Sequence, residues 1–106
     1  MKSQYLLFVG VVMAVASSAA TASQALATRY ACVACHQADR KLVGPSWNDI
    51  ASKYAGSSTT AAELAESIRR GSTGKWGSMP MPPQPALSAE DARSLAQWIL
   101  EHRASQ

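Results

Sequence analysis

Two cysteines stand three positions apart, and a histidine follows the second directly: Cys32-Val33-Ala34-Cys35-His36. The chain of 106 residues contains no other cysteine. C-x-x-C-H is the attachment pattern of a c-type haem. On a helical turn, positions i and i+3 share one side. Both sulfurs could then reach the two vinyl groups of one porphyrin, while the next residue projects its imidazole toward the iron. Other chemistries compete for the same side chains. A disulfide is available to an exported chain. A thioredoxin-like redox pair needs a βαβ setting. A zinc site needs four ligands; only Cys32, Cys35, His36 and His102 could supply them, and two ligands adjacent in sequence fit one tetrahedron poorly. His102 reads more simply as a solvent-exposed residue at a helix end. The histidine immediately after the second cysteine favours haem over these alternatives.

The rest of the chain must hold that centre with little material. One domain is the upper limit. Hydrophobic residues make up 47% and charged residues 16%, which excludes a disordered composition. The formal charge of +3 comes without a dense basic cluster, so nucleic-acid binding is not indicated.

The first residues read as a secretory leader. Lys2 is the positive start, Leu6 to Ala16 form the apolar run, and Ala20-Thr21-Ala22 fits a small-x-small cleavage pattern. The apolar run is well short of the ~20 residues that span a bilayer. The expected division is a signal peptide over 1–22 and a mature domain over 23–106. Cleavage after Ala25-Leu26-Ala27 ranks lower, because it would shorten the first helix. A mature chain of that size buries only about 60% of its unfolded surface and needs a further stabilising device.

Periodicity makes the mature chain all-α. Ser23 to Cys35 lacks Gly and Pro and reads as one short helix with Leu26, Tyr30 and Val33 inward. Asp39 to Ser46 is a loop marked by Gly44-Pro45. Ser46 caps a helix whose inner face is Trp47, Ile50, Ala51 and Tyr54, stopped by Gly56. Thr60-Ala61-Ala62-Glu63 is a capping box opening a helix with Ala61, Leu64, Ala65 and Ile68 inward. Arg69 and Arg70 suit its end, and Gly71 a left-handed cap. Residues 71–87 are irregular, with three glycines and four prolines. Ser88 opens the last helix, with Ala92, Leu95, Ala96 and Ile99 on the core face, Trp98 beside them and Arg103 at its end. So many inward alanines mean that something other than side chains fills the centre.

At this point the sequence resembles the small bacterial class I cytochromes c of the c-551 type. The resemblance covers Ser23 to His102. It rests on CVACH at 32–36, LVGP at 42–45, GSTGKWGSMPMPPQP from Gly71, and the closing helix with LAQWIL. It implies four to five short helices wrapped around one haem, covalently bound through Cys32 and Cys35. It implies His36 and a loop methionine as axial ligands. Pro80-Met81-Pro82-Pro83 matches the ligand motif, so Met81 is expected rather than Met79. Flanking prolines restrict the backbone and reduce the entropy lost on ligation. Pro45 matches a proline whose carbonyl accepts the second N–H of the ligating histidine. Trp76 matches a tryptophan whose indole N–H bonds a haem propionate. The chain departs from the family at Ser67, where relatives often carry a basic residue near the propionates, and at Gln84, where asparagine is common.

A six-coordinate iron leaves no position for substrate, which implies a one-electron shuttle and not an enzyme. His/Met ligation in an apolar pocket raises the reduction potential. The implied setting is a soluble periplasmic monomer that meets redox proteins: a reductase, an oxidase, a peroxidase or a copper protein. Lys41, Lys53 and Lys75 are candidates to steer acidic partners toward the haem edge. Two alternatives stay open: an exported thiol–disulfide protein using Cys32 and Cys35, and a haem-based sensor in which Met81 is displaced.

Overall fold

The computed structural model describes residues 7–14 and 19–102. Lys2, the ends of the leader's apolar run and the helix-end cation Arg103 lie outside the described residues. Residues 7–14 form neither helix nor strand, and their side chains are exposed. No described helix is long and apolar enough to cross a membrane.

Among the described residues four α-helices carry the fold: α1 (Ala19–Arg29), α2 (Trp47–Tyr54), α3 (Ala61–Arg70) and α4 (Ala89–Glu101), with a 3-10 turn over Cys32–Ala34. Among the described residues the only β pairings are two isolated bridges, His36 with Lys41 and Ser72 with Met81. The expected helix starts are real. Ser46 accepts from Asp49 N–H, and Ser88 from Asp91 N–H. Thr60 and Glu63 close a reciprocal capping box, satisfying donors that helix geometry orphans.

α4 packs against α1, α2 and α3, and its whole expected inner face is buried. Leu64, Ala65 and Ile68 of α3 and Trp47, Ile50 and Ala51 of α2 are buried as their spacing predicts. Ala61 and Tyr54 are half-buried at the margin of the core. Five buried positions (Ala27, Ala51, Ala65, Ala92 and Ala96) are alanine, so helices approach closely on one side and side chains are short toward the other.

The single helix expected from Ser23 to Cys35 is instead two pieces. Ala31 takes a left-handed conformation (φ 58°) that ends one helix and starts the next turn. That conformation costs a residue with a Cβ about 1–2 kcal/mol, and neither Gly nor Pro flags it in the sequence. The break re-aims the following turn. Val33 is therefore exposed rather than inward, while Ser23 and Ala27 are buried.

Gly71 corrects a second expectation. Its backbone (φ 76°, ψ 177°) is not the left-handed cap but an extended conformation at positive φ. A Cβ there would lie 2.5 Å from the Met81 carbonyl oxygen and 2.8 Å from Pro83 N. The glycine thus lets the proline loop lie directly on the end of α3, where Gln84 N–H caps the Arg69 carbonyl at 3.0 Å. Gly71→Ala meets both strained φ and rigid backbone. The expected loss is about 1–3 kcal/mol or more, read as a lower thermal midpoint of the haem-loaded protein.

Candidate functional site

The helices and the 71–87 loop enclose a cavity of about 440 Å³, within the ~300–1,000 Å³ typical of cofactor sites. Cys32, Cys35, His36, Met81, Pro45 and Trp76 all line it, so the six residues singled out in the sequence converge. Its apolar floor comes from Ile50, Leu64, Ile68, Leu95 and Ile99.

The cysteines sit on the 3-10 turn, closed by Cys35 N–H and His36 N–H both donating to the Cys32 carbonyl. Three residues per turn bring i and i+3 into line more directly than an α-helix does, so Cys32 and Cys35 face the cavity together. Both are free thiols. Burial pushes the Cys32 thiol above its ordinary range, against a lowering backbone hydrogen bond, and the neighbouring Cys35 adds to the rise.

His36 is buried, and its Nδ1 donates to the Pro45 carbonyl at 2.7 Å. A carbonyl can only accept, so Nδ1 carries a proton; in the neutral imidazole that leaves the lone pair a metal ligand needs on Nε2. Gly44 makes that approach possible: a Cβ there would sit 2.5 Å from Cε1 of the imidazole. Gly44→Ala must push the ring aside or shift the loop. Overpacking of this kind costs about 1–3 kcal/mol, and the expected readout is a lower denaturation midpoint together with a perturbed haem spectrum.

Met81 is tied to the end of α3 from both backbone atoms. Ser72 N–H donates to its carbonyl at 3.1 Å, and its own N–H donates to Ser72 O at 2.9 Å. Its side chain packs against the core cluster. Met79 also lines the cavity but is 62% exposed and outside that cluster. The structure thus separates two methionines that the sequence spaces only two residues apart.

Trp76 is half-buried at the cavity wall, with the Lys53 ammonium 4.2 Å from its ring centroid. Lys53 Nζ also donates to the Lys75 carbonyl at 2.7 Å. It is therefore a strut for the loop and not simply a charge offered to solvent. Lys75 Nζ donates to Ser67 Oγ at 3.0 Å, and both residues line the cavity. A cation thus stands over position 67 although residue 67 itself is neutral. Lys41 lines the cavity as well. Gln84, the other departure, turns its side-chain amide to the Pro82 carbonyl at 3.4 Å.

His102 is not the exposed helix-end residue expected. It is half-buried, its Nδ1 donates to the Trp98 carbonyl at 3.0 Å, and its ring meets Trp98 edge-on at 4.5 Å. Among the described residues, no three His, Cys, Asp or Glu side chains converge on a metal-sized point. The zinc alternative built on Cys32, Cys35, His36 and His102 is not assembled. Two features were missed in the sequence: the role of Gly44 beside the imidazole, and the stacking of Trp47 on His36. Both pairings are contacts that no periodicity encodes.

The family model described as Cytochrome c matches residues 20–103. The chain belongs to the cytochrome c family. It is a small haem electron-transfer protein, and membership implies one covalently bound haem c per chain and partners that are themselves redox-active. Cytochrome c-551 of Pseudomonas aeruginosa is 50% identical over 72 residues, which cover 68% of each chain. Cytochrome c-552 of Nitrosomonas europaea is 49% identical over 81 residues, covering 76% of this chain and 79% of that protein. The crystal structure of the wild-type Nitrosomonas europaea cytochrome c552 superposes with a TM-score of 0.72 at 48% identity, covering 74% of this chain and 98% of that one. The expected all-α class I cytochrome c fold is thereby shown. The cavity, its pair of cysteines and an imidazole whose Nδ1 is already engaged by Pro45 suit the group that the family carries.

Proposed function

We propose that this cytochrome c is a periplasmic one-electron carrier, exported by residues 1–22 and functional as the monomeric domain 23–106. In this reading haem c is attached through Cys32 and Cys35 and ligated by His36 and Met81. Bound haem c supplies a one-electron Fe(II)/Fe(III) couple. The single observation that carries the reading is the 2.7 Å bond from Nδ1 of His36 to Pro45. It leaves Nε2 as a lone-pair donor in a cavity walled by both cysteines and Met81.

Each residue then has a definite task. Pro45 holds the imidazole tautomer and raises its basicity as a ligand. The Ser72 bridge holds the Met81 backbone still, so ligation by its thioether loses little entropy. The same two ligands serve both oxidation states, which keeps rearrangement small. Trp76 offers an indole N–H, and Lys75 over Ser67 an ammonium, to the carboxylates of the porphyrin edge. With His36 and Met81 both holding the haem iron, no position would be left for substrate, so the chain would carry electrons rather than catalyse a reaction. Lys41 and Lys75 lie at the cavity rim and favour acidic partners in brief contacts.

The test is acid-acetone extraction of the purified periplasmic protein. Colour that stays with the chain, and is lost to the solvent when Cys32 and Cys35 are both replaced by alanine, is the expected result. Colour extracted from the wild-type chain, or a protein retained in the cytoplasm with residues 1–22 uncut, overturns the reading.

A further inference from the structure

Trp47 looks like an ordinary core residue at the start of α2, and it is 6% exposed. The ring it covers, however, is the imidazole of His36: the two centroids are 4.7 Å apart and the planes differ by 23°. Trp47 is itself braced, meeting the edge of Trp98 at 5.5 Å and 63°. Its backbone N–H donates to the Gln37 carbonyl at 2.8 Å, so the residue beside His36 and the start of α2 are bonded directly. Both rings are therefore carried on one locally rigid frame.

A branched aliphatic side chain would fill comparable space against the core. It would not present a flat face. The hydrogen bond from Nδ1 to Pro45 anchors one corner of the imidazole, and a ring pinned at one corner still rocks about its Cβ–Cγ bond. A stacked indole opposes that rocking, because tilting the imidazole breaks face contact along its whole width.

We propose that Trp47 is a positioning residue for the electron-transfer centre: its indole fixes the rotation of the His36 imidazole plane, and so the plane that the ligand presents to the iron. The proposal rests on His36 being the axial ligand. In the ferric state that plane selects the iron orbital holding the unpaired electron, and hence which porphyrin edges carry spin density. Outer groups that orient a ligand tune the metal in this way.

The experiment uses the oxidised haem-loaded protein and reads two signals: the order of the paramagnetically shifted haem methyl proton resonances, which reports both ligands of the iron, and the through-space contacts of the His36 ring protons with the porphyrin, which report the imidazole plane alone. Trp47→Phe keeps a stacking face and should preserve the wild-type order. Trp47→Leu should change that order or contract the spread, while the Met81 sulfur-to-iron absorption band persists. A folded Trp47→Leu protein with the wild-type order overturns the proposal and leaves Trp47 as core packing only. If Trp47→Leu does not accumulate, the wild-type protein decides. One fixed set of contacts from the His36 ring protons to the porphyrin across temperature marks a locked ring; contacts averaged over several ring orientations overturn it. Absence of a low-spin, histidine-ligated ferric signal in the wild type instead removes the ligand assignment, and the proposal with it.

Discussion

Expressed without its haem, the chain is largely unfolded. The cavity of about 440 Å³ lies among the helices, floored by core residues such as Leu64, Ile68, Leu95 and Ile99. Without haem its apolar wall is left to water, at about 25 cal/mol for every Å² that haem would cover, or several kcal/mol in all. Whole-domain stability is only about 5–15 kcal/mol. The helices cannot make up the difference alone. α2 has 8 residues, α3 has 10 and α4 has 13, at or below the ~12–15 residues under which isolated helices are marginal in water. The alanines on their inner faces leave little side-chain volume to collapse into the space. Far-UV circular dichroism and proton shift dispersion of the haem-free chain check this. A cooperative melt from near-native helix content would show that side-chain packing suffices.

Met81→Ala is expected to remove the proposed second ligand of the haem iron, and Met79→Ala to leave it in place. The first should abolish the sulfur-to-iron absorption band of the ferric protein and open a coordination position. It should also lower the reduction potential by tenths of a volt, within the ~0.8 V that axial ligands span. The physical basis is the bridge to Ser72. Both backbone groups of Met81 are bonded to the residue following Gly71, so its thioether is presented from a fixed point and packs against the core. Met79, at 62% exposed, has no such anchor. Its removal should leave the band and the potential close to those of the parent. Optical spectra of the oxidised variants and redox titration give the answer. Loss of the band in Met79→Ala with retention in Met81→Ala would reverse the assignment.

Local signals were legible where local physics controls the outcome. Ser46, Thr60 with Glu63, and Ser88 cap helices because a side-chain oxygen three residues upstream satisfies an orphaned N–H whatever the rest of the fold does. The inner faces of α3 and α4 follow 3.6-residue periodicity and are buried as spacing dictates. The first helix departs from its sequence pattern because its break at Ala31 is imposed from outside. Nothing in Tyr30-Ala31-Cys32 asks for φ 58°; the turn must deliver both cysteines and His36 to one wall, and the strain sits at the site it serves. Gly71 was read as a cap for the same reason. Its neighbours in sequence explain a helix end, whereas its neighbours in space, Met81 and Pro83, explain the glycine.

The order of residues alone determined the helical class and the covalently attached haem that C-x-x-C-H announces, since these depend on side-chain identity and on spacings of a few positions. Folding in three dimensions decided which methionine is anchored, that Lys75 stands over Ser67, that Gly44 gives the imidazole room, and that Trp47 lies flat against it. Those pairings join residues brought together by packing from separate segments. Their energies depend on distance and angle, quantities that a linear pattern does not carry.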